Sequence, residues 1–148
     1  MPTGIHKKIR LAEAGELPSA ILRLKSGWLI AGDVQPLPGY CVLMADPVAK
    51  DFNALSEASR IQYALDMGRV GDALLAECGA YRVNYETWGN QDPALHTHIT
   101  PCFANESEDK RMLTPRAAYD WTHGPININD EASRVVMQEL IAKIKAAL

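Results

Sequence analysis

The chain lacks the features that would place it in a membrane or on a nucleic-acid polymer. No run of residues approaches the roughly 18 to 20 apolar residues of a membrane span, and the first residues lack the apolar core of a secretory signal. The 15 basic and 18 acidic residues give a net charge of −3, which disfavours binding to DNA or RNA. We therefore expect a soluble cytoplasmic protein with no membrane and no nucleic-acid polymer among its partners.

Cysteine is also scarce. Cys41, Cys78 and Cys102 form no Cys-x-x-Cys pair and are odd in number, so neither a disulfide framework nor a zinc ribbon is predicted. We expect all three to act as small buried hydrophobic residues.

The chain does contain enough apolar residues for one core. It has 148 residues, of which 47% are hydrophobic, and this predicts a single domain over residues 1–148. We divide the domain into a part from the first hairpin to a histidine-containing strand, about residues 19–103, and a C-terminal extension with a helix, residues 104–148.

Five runs of β-forming residues predict five strands, and a turn in which Gly27 supplies a positive φ joins the first two. The strands are predicted over Ser19–Leu24, Trp28–Asp33, Tyr40–Ala45, Tyr81–Glu86 and Leu95–Thr100.

Helical periodicity begins at Ser56, a suitable N-cap, and ends at Gly79. Gly68 and Gly71 either let this helix lie close to a sheet or are simply tolerated. The predicted apolar face consists of Ile61, Leu65 and Leu75.

A second helix is predicted near the C-terminus, where Asn129 can cap it and Asp130 and Glu131 suit its positive end. Its apolar stripe covers either the core or a partner chain. The stripe consists of Val136, Met137, Leu140, Ile141, Ile144 and Leu148. Five strands and two main helices without regular alternation predict an α+β fold with a five-stranded, mainly antiparallel sheet.

The stretch DPALHTHITPCF, residues 92–103, contains two histidines one residue apart. On a strand, His96 and His98 point to the same face, with Cα atoms about 6.5 to 7 Å apart. That separation suits two imidazoles facing one ligand.

Three interpretations of this pair stay open from the residues alone. The two histidines can be ordinary strand side chains. They can be two ligands of a metal, although a site needs a third and the nearest downstream acid, Glu106, follows a proline. They can also act on a phosphate, because neutral imidazole is a good nucleophile near pH 7.

Three segments, DVQPLPGY, RVNYETWGN and PALHTHITP, resemble the histidine triad (HIT) superfamily of nucleotidyl hydrolases and transferases. The resemblance extends from about Trp28 to Phe103 and implies a HIT-like fold. It implies that His96 is the nucleophile, forming a covalent nucleotidyl-histidine, and that His98 lines the phosphate pocket. The His96 ring is then expected to be exposed on the sheet, with its second nitrogen bonded to the main chain.

The resemblance also implies a set of substrate-binding residues. Asn84 would hold a phosphate oxygen, and the backbone N–H groups of Gly89 and Asn90 would face developing negative charge. Asp33 would accept hydrogen bonds from the ribose hydroxyls. Trp88 would cover a base, although it is also suited to packing at a loop anchor.

Three positions depart from the family pattern. Ala94 replaces the first histidine of the triad, although alanine keeps the main-chain carbonyl. Tyr40 replaces a histidine that commonly follows the Pro-Gly turn. Its phenol can still bind substrate by donating a hydrogen bond, but it is a poor acid–base group near neutrality. Cys102 stands where arginine often follows the proline. These changes leave the catalytic rate open.

The resulting hypothesis is a hydrolase for a nucleoside phosphoramidate or a dinucleoside polyphosphate, with a purine nucleotide or nucleotidyl substrate. It requires no cofactor, although a divalent cation can accompany the substrate phosphates. The alternatives are a nucleotide-binding protein with weak or no catalysis and a metal-dependent hydrolase. The resemblance further implies a homodimer, in which His123 could reach the partner's site.

Overall fold

A computed structural model describes residues 2–148. In chain order its elements are α1 (Gly4–Glu13), β1 (Ala20–Leu24), β2 (Gly27–Ala31), β3 (Val34–Gln35), β4 (Cys41–Ala45), α2 (Glu57–Glu77), β5 (Arg82–Glu86), β6 (His96–Cys102), α3 (Glu108–Arg111), α4 (Pro115–Ala118), β7 (Ile126–Asn127) and α5 (Glu131–Ala146). A short 3-10 helix, Phe52–Ala54, precedes α2.

The predicted α+β fold is confirmed. Five strands form one sheet in the order β1-β2-β4-β6-β5, and every neighbouring pair is antiparallel. A separate two-stranded ribbon pairs β3 with β7, and so attaches the C-terminal segment to the region after the first hairpin. All five predicted strands lie in the main sheet, with ends displaced by at most two residues.

The larger core lies between one face of the sheet and the helices α2 and α5. Ile99 of β6, Leu74 of α2 and Ile144 of α5 are completely buried in this cluster. We call this side of the sheet the helix face.

The predicted apolar face of α2 is wrong. Ile61, Leu65 and Leu75 are 57%, 54% and 43% exposed. The buried face instead includes Asp66, whose carboxylate accepts hydrogen bonds from the backbone N–H and the hydroxyl of Ser26 in the β1–β2 turn. A face that contains a buried acid and a glycine is missed when only apolar residues are counted.

Glycine permits close packing at two positions. A Cβ on Gly71 would lie 1.9 Å from the hydroxyl oxygen of Tyr85, so close approach of α2 to the sheet, the first of the two alternatives, applies there. Gly68 has no atom within 4 Å of such a Cβ, which fits the second alternative. Gly27 does not have the predicted positive φ. It is needed because a Cβ would lie 1.8 Å from the carbonyl oxygen of Met44.

The C-terminal helix begins one residue later than predicted. Asp130, not Asn129, is its N-cap, and the Asp130 side chain accepts a hydrogen bond from the backbone N–H of Ala132. Most of the predicted stripe faces the core, but Val136 is exposed.

Helix α1 was not predicted, and it covers part of the opposite side of the sheet, which we call the histidine face. Ile5 and Ile9 of α1 pack against Ile30, Val42 and Met44. The spacing of these isoleucines and the Thr3–His6 capping box were the signals for this helix.

The cysteines only partly match the expectation. Cys41 is buried, whereas Cys78 and Cys102 are half-buried, and all three are free thiols. Within residues 2–148, no helix combines the length and the apolar character needed to cross a membrane.

Candidate active site

The two strand histidines share one face, as predicted. In the β4–β6 ladder, His96 lies opposite Met44 and His98 lies opposite Val42, so both rings project to the histidine face. Their ring centroids are 5.1 Å apart, with an interplanar angle of 75°. The two imidazoles can therefore contact the same small ligand.

The ring orientation of His96 is set by the main chain. Its Nδ1–H donates a hydrogen bond to the carbonyl oxygen of Ala94, at 2.7 Å. A proton on Nδ1 leaves Nε2 with a free lone pair. The alanine at the first triad position thus supplies a carbonyl acceptor, although it offers no imidazole.

The expected exposure of the His96 ring is wrong, because the residue is only 8% exposed. Its accessible part lies on two adjoining cavities of about 640 and 460 Å³. We call them the histidine cavities. Both are lined by Asp92, His96, His98 and Arg116.

Tyr40 and His98 form a hydrogen-bonded pair. The Tyr40 hydroxyl lies 2.5 Å from Nδ1 of His98, and the two rings are stacked. Burial raises the pKa of the Tyr40 phenol, so its hydroxyl keeps its proton. The phenol has no other hydrogen-bond acceptor among the described residues, so it donates to Nδ1 and leaves the proton of neutral His98 on Nε2.

His98 is neutral at physiological pH. Burial lowers the pKa of His98 to about 4, and the neighbouring His96 ring and the Arg116 guanidinium contribute to this decrease. The Nε2–H of His98 is therefore a neutral hydrogen-bond donor on the wall of the histidine cavities.

Asp33 lines the smaller histidine cavity, whereas Trp88 lines the larger one. Its Oδ2 accepts a hydrogen bond of 2.6 Å from Nζ of Lys8 on α1. This ion pair fixes the position of the carboxylate beside the histidines. Lys8 was not identified in the sequence, because the helix that carries it was missed.

Two of the predicted substrate-binding residues, both in the loop before β6, line the larger histidine cavity. Trp88 and Asn90 line it together with both histidines, and Trp88 is 52% exposed. Gly89 lines a neighbouring cavity of about 480 Å³ instead. No atom lies within 4 Å of a Cβ placed on Gly89, so local packing does not require glycine there.

Asn84 is not brought to the histidine cavities. It lines a separate cavity of about 310 Å³ near α3 and α4, and its Nδ2 donates a hydrogen bond to Sγ of Cys102, at 3.1 Å. It lies on the histidine face, opposite Thr100 in the β5–β6 ladder. Its predicted contact with a phosphate oxygen would require the side chain to leave this hydrogen bond.

Three further residues of the histidine cavities were missed. Arg116 of α4 and Trp121 of the following loop belong to a segment in which no pattern indicated a site. Asp92 accepts a hydrogen bond from the backbone N–H of Ile5 and so ties α1 to the loop before β6. Its Oδ1 is buried without a partner.

His123 does not reach the histidines of its own chain. It is exposed, and its Nδ1 lies 3.1 Å from Oδ2 of Asp120. Among residues 2–148, no group of three or more histidine, cysteine or acidic side chains is arranged to hold a metal ion. His96 and His98 would be two protein ligands without a third.

Comparisons with known proteins give matches among solved structures. No protein-family model and no curated protein matches this chain. A HIT-like protein involved in cell-cycle regulation from Bartonella henselae, solved with an unknown ligand, is 16% identical over 99% of this chain and 96% of its own, with a TM-score of 0.70.

Two further structures are similar. A histidine triad protein from Bradyrhizobium japonicum is 22% identical over 93% of both chains, with a TM-score of 0.68. A hypothetical histidine triad nucleotide-binding protein from Sulfolobus tokodaii is 11% identical over 95% of this chain and 92% of its own, with a TM-score of 0.67. At these identities the similarity is one of fold.

Proposed function

We propose that this chain, which has the histidine triad fold, is a nucleotidyl hydrolase or transferase in which His96 is the nucleophile. Its substrate is a nucleoside phosphoramidate or a dinucleoside polyphosphate. The observation that carries the proposal is the hydrogen bond from Nδ1–H of His96 to the Ala94 carbonyl oxygen, since in the neutral ring it leaves the lone pair on Nε2, and His96 lines a cavity.

The reaction proceeds in two displacements at phosphorus. Nε2 of His96 attacks the α-phosphorus, an N–P bond forms, and the bond from phosphorus to the leaving group breaks with its electron pair on the leaving group. Water then attacks the same phosphorus and releases the nucleotide and the imidazole. A covalent intermediate divides one difficult displacement into two easier ones.

His98 has a different role in this scheme. Because its pKa is lowered to about 4, it stays neutral while the reaction proceeds near pH 7. Its Nε2–H donates a hydrogen bond to a non-bridging phosphate oxygen, and the Tyr40 hydroxyl fixes this tautomer.

The outer parts of the histidine cavities would hold the nucleoside. Asp33, oriented by Lys8, accepts hydrogen bonds from the ribose hydroxyls in the smaller cavity. In the larger one, Trp88 offers a half-exposed ring for stacking on a purine, and Asn90 lies beside it. The Gly89 N–H and Asn84 would reach the phosphates only after a local rearrangement.

The second candidate is a nucleotide-binding protein with weak or no catalysis. It is favoured by the replacement of two expected cationic positions with Ala94 and Tyr40, together with the neutrality of His98. The same cavity would then retain a nucleotide without reacting with it.

Turnover of adenosine 5′-phosphoramidate and diadenosine tetraphosphate separates the two candidates. We expect His96→Gln to lower the rate by several orders of magnitude. His6→Gln is the matched control, because His6 lies outside the histidine cavities and glutamine preserves its capping box. Alkaline quenching followed by intact-mass measurement should detect adenylate on wild type and not on His96→Gln.

Three results would contradict hydrolysis through His96. The first is a residual rate of His96→Gln close to that of wild type, and the second is an adenylate that persists on this variant. The third is a wild type that binds AMP without turnover, and this result favours the second candidate.

The proposed reaction needs no resident metal, so excess chelator should leave the phosphoramidate rate unchanged. Loss of activity in chelator would favour the metal-dependent alternative.

The protein is further proposed to form a homodimer through β5 and α2. Strand β5 ends the sheet, and the exposed stripe of Ile61, Leu65 and Leu75 lies on α2, which packs beside it. A two-fold axis through Asn84 would pair the two β5 strands antiparallel. Arg82 would then lie opposite Glu86 of the second copy, which gives charge complementarity at an isologous contact.

Sedimentation equilibrium tests the dimer. We expect a dimeric wild type and a monomeric Leu65→Asp variant. The control is Val135→Asp, which places the same charge on an apolar position of α5 that is also more than half exposed. A monomeric wild type, or equal behaviour of the two variants, would contradict this interface.

A further inference from the structure

We infer that Arg116 is the phosphate-binding cation of the histidine cavities, an inference that rests on the proposed function for the identity of the ligand. Arg116 belongs to α4, in the C-terminal segment that the triad motif does not include. It lines both cavities together with His96 and His98.

The histidine cavities otherwise offer little uncompensated positive charge to a phosphate. Lys8 is engaged by Asp33 at 2.6 Å, and Asp92 adds a negative charge. Burial and neighbouring charges lower the pKa of His98, so this ring stays neutral. Among residues 2–148, Arg116 forms no ion pair with a carboxylate, so its charge is available for a ligand.

Contacts with aromatic rings hold Arg116 beside the histidines. The guanidinium carbon lies 5.0 Å from the ring centroid of Trp121. The Trp121 indole N–H donates to the carbonyl oxygen of Pro115, at 3.1 Å, and the Trp121 ring meets the Tyr40 ring edge-on at 4.8 Å. Tyr40 in turn bonds His98. This series of contacts keeps the arginine over the cavity and leaves its donors free.

Arg116 is close enough to His98 and Tyr40 for its charge to affect their pKa values. Its positive charge contributes to the lowered pKa of His98 and opposes the increase that burial causes in the pKa of Tyr40. A charge that acts on both rings also acts on a phosphate in the cavity that the two rings line. The planar guanidinium can bind two phosphate oxygens at once, which a lysine cannot do.

Arg116 therefore compensates for three departures in the triad region. Ala94, Tyr40 and Cys102 stand where the resemblance leads us to expect histidine or arginine. The fold returns a cation to the cavity from a different element, at a position 18 residues after His98 in the chain. The group contacts substrate directly and stabilises negative charge on phosphorus.

Calorimetric binding of AMP and of adenosine tests this inference, because the two ligands differ only in the phosphate. We expect wild type to prefer AMP, and Arg116→Met to lower AMP affinity by about ten- to a hundredfold while adenosine affinity is unchanged. Arg116→Lys should recover part of the preference. Arg134→Met, an exposed arginine of α5 outside both cavities, should behave as wild type.

Unchanged adenosine binding verifies that Arg116→Met is folded. Preference for AMP that survives in Arg116→Met, or a loss that Arg134→Met reproduces, would overturn the inference. So would a wild type that binds neither ligand, or that binds both equally.

Failure of the proposed reaction gives a different pattern. A wild type that turns over neither substrate, yet shows an Arg116-dependent preference for AMP, would refute hydrolysis and support this inference. Turnover that requires His96 and is unaffected by Arg116→Met, with AMP preference intact, would support hydrolysis and overturn the inference.

Discussion

The two faces of β6 have different environments, since one face is packed in the core and the other lines cavities. Thr97 and Ile99 are completely buried on the helix face, whereas His96 and His98 face cavities on the other side. The alternation of side chains along a strand makes this division possible. The helices that cover each face then determine which side becomes core and which becomes a site.

The helices cover the two faces of the sheet to different extents. The helix face is packed by α2, of 21 residues, and α5, of 16 residues, whereas α1, of 10 residues, covers only part of the histidine face. The remainder is bordered by the loop before β6 and by α4. A face that is only partly covered leaves room for a ligand beside well-fixed strand side chains.

The largest effect should come from the helix face. We expect Ile99→Ala to lower the free energy of unfolding by about 2 to 5 kcal/mol, because the lost side chain leaves a cavity between two long helices and the sheet. Ile30→Ala is the matched change on the histidine face and should cost less, since the single helix α1 can shift to fill the space. Urea unfolding measures both, and an equal or larger loss in Ile30→Ala would contradict the difference between the faces.

A smaller effect is expected on removal of the hydrogen bond between Tyr40 and His98. Tyr40→Phe removes the donor to Nδ1 of His98 and should cost about 1 kcal/mol in the free energy of unfolding. Because a hydrogen bond accepted at Nδ1 favours the neutral imidazole, its loss should raise the pKa of His98 above about 4, while burial and the neighbouring His96 and Arg116 still hold that pKa below 6.5. NMR titration of the imidazole protons measures this shift.

Tyr119→Phe is the control, since the Tyr119 hydroxyl bonds Glu106 outside the histidine cavities. A His98 pKa that stays near 4 in Tyr40→Phe would show that burial and the neighbouring His96 and Arg116 set it without the hydrogen bond from Tyr40.

Another effect concerns how stability depends on pH. The folded pKa of His98, about 4, lies below the ordinary value of 6.5, so the unfolded chain binds a proton at this residue at pH values where the folded chain does not. The free energy of unfolding should therefore fall as the pH decreases from about 6.5 to 4. His98→Gln should reduce this slope in melts across that range, and an unchanged slope would assign the pH dependence to other groups.

The smallest effect is expected at Val136. The sequence pattern put this residue in the buried stripe of α5, but it is exposed, so Val136→Ala should change the free energy of unfolding by less than about 0.5 kcal/mol. Met137→Ala, at its completely buried neighbour, should cost several times more. Comparable losses would mean that a partner covers Val136 in solution.

The strands and the paired histidines could be predicted because their signals are local. Alternation fixes which side chains share a face, and a His-x-His spacing needs no information from elsewhere in the chain. The exposed stripe of α2 could not be recognised, because Ile61 and Leu65 have the same hydrophobicity whether they face the core or solvent. The burial of Asp66 depends on Ser26, 40 residues earlier in the chain.

The sequence by itself determined the sheet, the shared face of His96 and His98, and the main-chain carbonyl that Ala94 retains for the imidazole. Tertiary structure decided which polar groups surround those rings. Lys8 and Arg116 come from short helices at opposite ends of the chain, and packing brings both to the same cavities. Their contribution depends on distances across the fold, which no local pattern of residues records.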